Sequence, residues 1–522
     1  MRFLLLATAA AAGTPKPAQE LAPYPPMHWH SWNTFCAEDM VNATNMREMA
    51  EALLSTGMAD AGYRTVNVVC NGWTGRNSSG VLQENTVLWP DGGIAAFADH
   101  LHAKNLSLGC YTSPATKNCC GEPGSLGYEA IDMEFFAQVG CDHVMVDWCR
   151  GYVDPLETKA EYAVIGEAIA NSSNPNMLYG IWPGGLGKSW KWSADVGGHY
   201  WRTAADIKNS WASVTHNFDT AFSIPGINSF TSPGRYTFLD QMVVGVPGGG
   251  HGDDGHKGGV PGPGLSATEM VSHMSMWVMA ASPLLTCNDV RNMSKDVLET
   301  LTNPEVLAVH KDPLAHMAVR IDVGGGVEEG HASNLCASEY SVYGRQLADG
   351  SSAVMLLNRG ESNTSVRLLM EDVGDSMHTT YGVRDLWAKA NLSTGSVVKE
   401  VALTVPSHGV RLLRLWPMAP APPPPPPGPG APHPPCPAGY TNHTAGYWAN
   451  LKIGPKHSTV AACAASCTDD CTAFEVFLGA GYPGQCYTFE HTMRPPFTAA
   501  KCVTCVKKTR SSVDAESAAN EE

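Results

Sequence analysis

His143-Val144-Met145-Val146-Asp147 is a β-branched, apolar run that ends on a carboxylate. Three further runs share its build: Thr65-Val66-Asn67-Val68-Val69, Ser107-Leu108-Gly109-Cys110-Tyr111 and Met177-Leu178-Tyr179-Gly180-Ile181-Trp182. Helical spacing fills the intervals. Met46, Met49, Leu53 and Leu54 recur at steps of three and four, and Ser266-Ala267-Thr268-Glu269 reads as a capping box opening a helix over residues 270–279. Strands that alternate with helices predict a parallel sheet with crossover helices, and roughly 290 residues of alternation suit a (β/α)8 TIM barrel. Such barrels keep their chemistry at the C-terminal ends of the strands, so Asp147 and Trp182 mark where to search.

Outward from that core the pattern changes. Residues 21–317 form the expected barrel. From 318 to 417 short alternating segments predict an antiparallel β-sandwich domain, including Ser352-Ala353-Val354-Met355-Leu356-Leu357 and the stretch after Gly409. Residues 418–435 hold an unbroken proline run at 422–427 and read as an extended linker. Residues 436–507 carry seven cysteines (436, 463, 467, 471, 486, 502 and 505), which predicts a small disulfide-rich module with one thiol left over. Residues 508–522 are a polar tail. Residues 1–12, with Arg2, an apolar Phe3-Leu4-Leu5-Leu6 and an alanine run, read as a secretory signal peptide.

The 522 residues carry 34 Lys+Arg against 50 Asp+Glu, a net charge of −16 that disfavours nucleic acid as a partner. With 43% hydrophobic and 16% charged residues the chain has material for a large core and too little charge to stay disordered. No other stretch approaches the ~20 apolar residues of a membrane helix. Sixteen cysteines fit an oxidising compartment, and eight Asn-x-Ser/Thr sites (Asn42, Asn77, Asn105, Asn171, Asn292, Asn363, Asn391, Asn442) are compatible with glycosylation. A secreted or lumenal protein of the secretory pathway, a lysosome or vacuole included, is expected.

Asp147 is the first catalytic candidate and Asp206, four residues after Arg202, the second; a capped or salt-bridged aspartate is the plainer reading of each. Two carboxyls at one rim suffice for retaining glycoside hydrolysis, one attacking the sugar carbon while the other donates a proton to the leaving oxygen. Trp29, Trp32, Tyr111 and Trp182 offer flat faces for a sugar ring, although a core position is the plainer reading of each one. His251, Asp253, Asp254 and His256 in a glycine-rich loop invite a metal reading, but so many glycines make ligands hard to order and a loop without a metal is preferred, a flap over the active face being equally compatible. No metal and no cofactor is expected.

Taken together, Tyr24-Pro-Pro-Met-His-Trp-His-Ser-Trp-Asn-Thr-Phe-Cys36, Ala61-Gly-Tyr-Arg-Thr-Val-Asn67, Pro123-Gly-Ser-Leu-Gly-Tyr128, Val146-Asp-Trp-Cys149, Ala280-Ala-Ser-Pro-Leu-Leu285 and Asn288-Asp-Val-Arg291 resemble glycoside hydrolase family 27, the α-galactosidases and α-N-acetylgalactosaminidases, over about residues 22–417. The resemblance implies retaining hydrolysis of α-glycosides. It matches Asp147 to the nucleophile, Asp206 to the acid/base and Trp32, Tyr111, Arg202 and Asp240 to the sugar pocket. It also implies a disulfide from Cys149 to Cys119 or Cys120. Departures accompany it. Val69 and Cys70 stand where the family holds two aspartates for the galactose 4- and 6-hydroxyls, and Met145 where it holds a lysine. Ile181 replaces a glutamate that reads the 2-hydroxyl, and with Gly184 it would leave an apolar wall for a different sugar or a 2-acetamido group. The spacing Cys463-x3-Cys467-x3-Cys471 resembles PAN/apple modules, implying a glycan or protein ligand for the C-terminal unit. A second hypothesis follows from the departures: a glycan-binding protein on a hydrolase scaffold without turnover.

Overall fold

The computed structural model describes residues 15–35, 40–150, 155–248, 263–321, 340–373, 381–392 and 400–417, and strands between 440 and 507. The signal segment, the proline run, the tail and the glycine-rich loop from 249 to 262 lie outside the described residues.

Eight parallel strands run β1 (Met27–His30), β2 (Thr65–Asn67), β3 (Ser107–Thr112), β4 (Cys141–Asp147), β5 (Leu178–Trp182), β6 (Tyr200–Arg202), β7 (Tyr236–Phe238) and β8 (Leu284–Thr286). Their order is β8-β1-β2-β3-β4-β5-β6-β7. A parallel bridge between Met242 and Thr286 links the segment after β7 to β8. This is the TIM-type barrel expected from the alternation. Between strands lie helices such as α1 (Ala43–Ser55), α2 (Gly93–His102), α3 (Glu129–Gln138) and α4 (Pro155–Ala170). Asn42 caps α1 by accepting from the Asn45 amide (2.9 Å). The helix after the glycine-rich loop, α5 (Ala267–Met279), opens with the capping box of Ser266 and Glu269.

Strand alternation divides the barrel into two cores. Along β4, Val144 and Val146 pack outward among the helices, whereas Met145 joins Tyr111, Trp182, Tyr200 and Phe238 inside the barrel. Both faces of each strand are buried, which is why the runs read as continuously apolar.

An antiparallel sandwich follows, with a six-stranded sheet from Val319–Ile321 to Val410–Pro417 and a two-stranded sheet pairing Thr364–Leu369 with Glu400–Val405. In the strand Ser352–Asn358, Val354 and Leu356 enter the sandwich core while Ala353, Met355 and Leu357 join the core shared with the barrel. Arg345 reaches across that junction, donating from Nη1 to the Val278 carbonyl near the end of α5 (2.8 Å).

The C-terminal unit contains a five-stranded antiparallel sheet of Tyr440–Gly446, Thr498–Lys507, Ala473–Phe477, Gln485–Phe489 and Leu451–Lys456, in that spatial order. Cys486, Cys502 and Cys505 fall on its strands; the cysteines at 436, 463, 467 and 471 lie outside the described residues.

Candidate active site

The C-terminal ends of the barrel strands surround a cavity of about 220 Å3. β1 contributes His30, followed by Trp32 and Asn33. Val69 follows β2, Tyr111 comes from β3, Asp147 from β4, Trp182 from β5 and Arg202 from β6. Asp206 and Ile207 follow β6, Asp240 and Gln241 follow β7, and Cys119 comes from the loop after β3.

Asp147 is held from two sides. The Tyr111 hydroxyl donates to its Oδ2 (2.9 Å) and the Trp148 amide to its Oδ1 (2.8 Å). Burial pushes its carboxyl up to about 6; the charge of Arg202 opposes the shift and that of Asp206 adds to it. Tyr111 is likewise driven well above the ordinary phenol range by burial and by Asp147.

Arg202 lies on the cavity floor with its side chain 4% exposed, while that of Asp206 is 51% exposed at the rim. Their Nη2 and Oδ1 atoms are 2.5 Å apart, and the same nitrogen lies 3.3 Å from Asp240 Oδ2. Burial opposes the guanidinium charge, but Asp240, Asp206 and Asp147 together hold it in place. Asp240 adopts φ +81°, a region side chains rarely occupy. Two bonds fix it there: its Oδ2 accepts from the Ile207 amide (2.7 Å) and its carbonyl from Trp277 Nε1 (2.7 Å). The residue after Asp206 is thereby tied to Asp240. Burial raises the Asp240 carboxyl to about 6.

Next to Asp240, His30 accepts from the Trp32 amide through Nδ1 (3.2 Å) and meets Gln241 Nε2 through Nε2 (3.4 Å). Burial first, then His28 and Arg202, depress it to about 3, so it is a neutral imidazole.

Disulfides frame the rim. Cys119 pairs with Cys149, settling the alternative left open by the sequence, and the adjacent Cys120 pairs with Cys70. A third bridge, Cys110–Cys141, links β3 to β4. Cys119, Asp147 and Cys149 place three ligand-type atoms within 4.8 Å of one another. The two sulfurs are bonded to each other, so this cluster does not amount to a metal site.

Seven of the expected residues therefore meet at one cavity: Trp32, Tyr111, Asp147, Trp182, Arg202, Asp206 and Asp240. Ile181 does not. It is fully buried in the core between barrel and helices, packed against Gly198, because successive residues of β5 face opposite sides and it is Trp182 that turns inward. The apolar wall expected from Ile181 with Gly184 is thereby corrected. Trp29 takes the core position that was its plainer reading: it points outward from β1 and donates through Nε1 to the Asn288 carbonyl (2.8 Å). Counting in steps of two along β1 would have found His30, and Gln241 sits beside an expected residue.

The sequence matches the family profile described as α-galactosidase A over residues 24–312 and the α-galactosidase C-terminal β-sandwich domain over residues 337–415. It is 32% identical over 420 residues to α-galactosidase A of Cellvibrio japonicus, covering 76% of this chain and 93% of that one. It is also 32% identical over 396 residues to the α-galactosidase of Cyamopsis tetragonoloba, covering 75% and 86%. The crystal structure of α-galactosidase I from Mortierella vinacea superposes with a TM-score of 0.65 at 27% identity, covering 79% of this chain and 99% of that chain.

Proposed function

The chain belongs to the α-galactosidase family, and from that premise we propose that it is a retaining α-glycosidase. It removes terminal α-linked, galactose-like sugars from oligosaccharides or glycoconjugates, with Asp147 as nucleophile and Asp206 as acid/base. One observation carries the assignment: both carboxyls open onto a single sugar-sized cavity under the field of Arg202. In the first step the ionised Asp147 attacks the anomeric carbon while Asp206 gives its proton to the glycosidic oxygen, and the aglycone leaves as an alcohol. Water then attacks the glycosyl-Asp147 ester. Asp206 takes a proton from that water, the Asp147 carboxylate is released and the configuration is retained.

The surroundings suit these roles. Tyr111 and the Trp148 amide orient the Asp147 oxygens and Arg202 favours their ionised form, while the half-exposed Asp206 reaches an aglycone entering from solvent. Trp182 and Trp32 offer apolar faces to the ring. Family membership favours turnover over the glycan-binding hypothesis. A 2-deoxy-2-fluoro glycoside of the galactose series, followed by peptide mapping, tests the assignment. The label is expected on Asp147, and a label elsewhere overturns it.

Among the described residues no helix is long and apolar enough to cross a membrane. The signal segment, three disulfides and sequons support export through the secretory pathway. The cysteine spacing of the C-terminal unit supports a PAN/apple-like role in binding a glycan or protein ligand.

A further inference from the structure

A second hollow shares no lining residue with the sugar cavity. It measures about 500 Å3, within the range of small-molecule sites, which leaves room for a short sugar chain. Its floor belongs to the six-stranded sheet, and its walls are the short helix Pro304–His310 and the turn at residues 349–351.

Strand register builds the floor. Tyr381–Asp385 pairs antiparallel with Val410–Pro417, which sets Arg384 opposite Arg414 and Gly382 opposite Trp416. Because Leu413 and Leu415 belong to the sandwich core, Arg414 and Trp416 lie on the sheet's other face. A Cβ at Gly382 would fall almost equally close to Nε1, Cε2 and Cζ2 of Trp416, so the indole lies flat across the glycine. Glycine weakens a strand, but here the missing side chain is what lets the ring lie down. One ring face covers the sheet and the other is turned to the groove that the half-buried Trp416 lines.

The charges cancel. Like charges facing one another across a sheet repel, yet each guanidinium has its own carboxylate. Arg384 donates from Nε and Nη2 to the two oxygens of Glu305 (2.6 and 2.7 Å). Arg414 pairs with Asp349 through Nη2 and donates from Nε to Ser351 Oγ (3.0 Å). Ser351 steadies Asp349 in turn, donating to its Oδ1 from the amide (3.0 Å) and the hydroxyl (2.6 Å). Two positive and two negative side chains leave the lining neutral, so an ionic ligand would have to displace an internal partner of its own sign. What the groove offers is N–H donors and carboxylate acceptors in fixed orientation beside an aromatic face. Sugar hydroxyls donate and accept at once, and the C–H face of a pyranose complements the negative face of an indole.

We propose that this groove is a non-catalytic carbohydrate-binding site for an uncharged glycan, seated on Trp416 between the two ion pairs. It goes beyond the hydrolase reading and stands or falls without it.

Affinity electrophoresis of the full chain tests it, in gels holding galactomannan, a mixed-linkage β-glucan or, as the anionic control, alginate. The variants are Trp416→Ala and Ala308→Trp, the second filling the groove from an exposed position on the helix. Thermal melting monitors their folding. At least one neutral polysaccharide is expected to retard the wild type, with a dissociation constant at least tenfold weaker in each variant. Retardation that either folded variant keeps at wild-type strength would come from the barrel cavity or the C-terminal unit and overturns the proposal. Retardation by alginate alone, or by none of the three, overturns it as well. Hydroxyl-radical footprinting of the wild type needs no variant: oligosaccharides of the retarding glycan should protect Trp416 from oxidation. An unprotected Trp416 sinks the proposal even where neither variant folds.

Discussion

Asp147 takes its raised pKa from burial and, in smaller part, from the charge of Asp206. Below about pH 6 it is protonated and cannot attack, so kcat/KM is expected to fall on the acid side of about 6. Asp206→Asn removes one of the raising causes. On an aryl glycoside whose leaving group needs no proton, the acid limb of that variant should move to lower pH; a limb that stays in place contradicts the coupling. Asp147→Asn should lower kcat on the order of 10⁴-fold. Its effect on stability follows from the sign of the shift. The folded state prefers the protonated carboxyl, so the stability from this group is present below about pH 4 and is lost as pH rises through 6. A side chain that never ionises escapes that loss. Thermal melts of Asp147→Asn should therefore rise relative to wild type between pH 4 and 6.5 and hold their advantage above it. Asp147 was legible in the sequence because it is the one charge closing an apolar run. Ile181 was misplaced because its run is apolar on both faces, so periodicity could not say which residues turn inward.

At the level of elements, the strands of the barrel and the capping box of α5 could be read from local pattern, since each is a few residues long and set by neighbours in the chain. The bridge from Cys70 to Cys120 could not, because its partners are 50 residues apart and the backbone brings them together. Closing a loop of that length typically contributes ~2–4 kcal/mol. Cys70→Ser combined with Cys120→Ser should lower the denaturant midpoint by a corresponding amount. It should also disturb discrimination among sugars more than it disturbs cleavage, because Asp147 keeps its bonds from Tyr111 and the Trp148 amide. A double variant with wild-type stability and selectivity would deny the bridge any part in shaping the cavity.

Across the whole molecule, His28, His30, His143, His199, His273 and His310 are all buried and all depressed chiefly by burial, four of them to about 3 and His199 to about 4. Each is neutral when folded and protonates near pH 6.5 when unfolded. The unfolded chain therefore binds more protons between about pH 3 and 6.5, and stability falls as the medium acidifies through that window. Asp147, Asp240, Glu122, Asp132 and Asp219, all raised by burial, act in the opposite sense, whereas Glu51, Glu134, Glu269, Glu305 and Asp349, which lie below the ordinary carboxylate range, act with the histidines. Urea unfolding at pH 4.5, 5.5 and 7 should give midpoints that rise with pH; a flat series would show that the histidines are solvated on a timescale the fold permits.

Cys119 and Cys120 are consecutive, yet one is bonded to Cys149, two residues after Asp147, and the other to Cys70, next to Val69 of the cavity lining. A single peptide unit, about 3.8 Å from Cα to Cα, thus gauges the distance between attack and recognition. Residues gained or lost elsewhere in the loop after β3 can be absorbed by slack. One inserted between these two would recalibrate the enzyme, and lineages derived from this chain should vary in loop length everywhere but there.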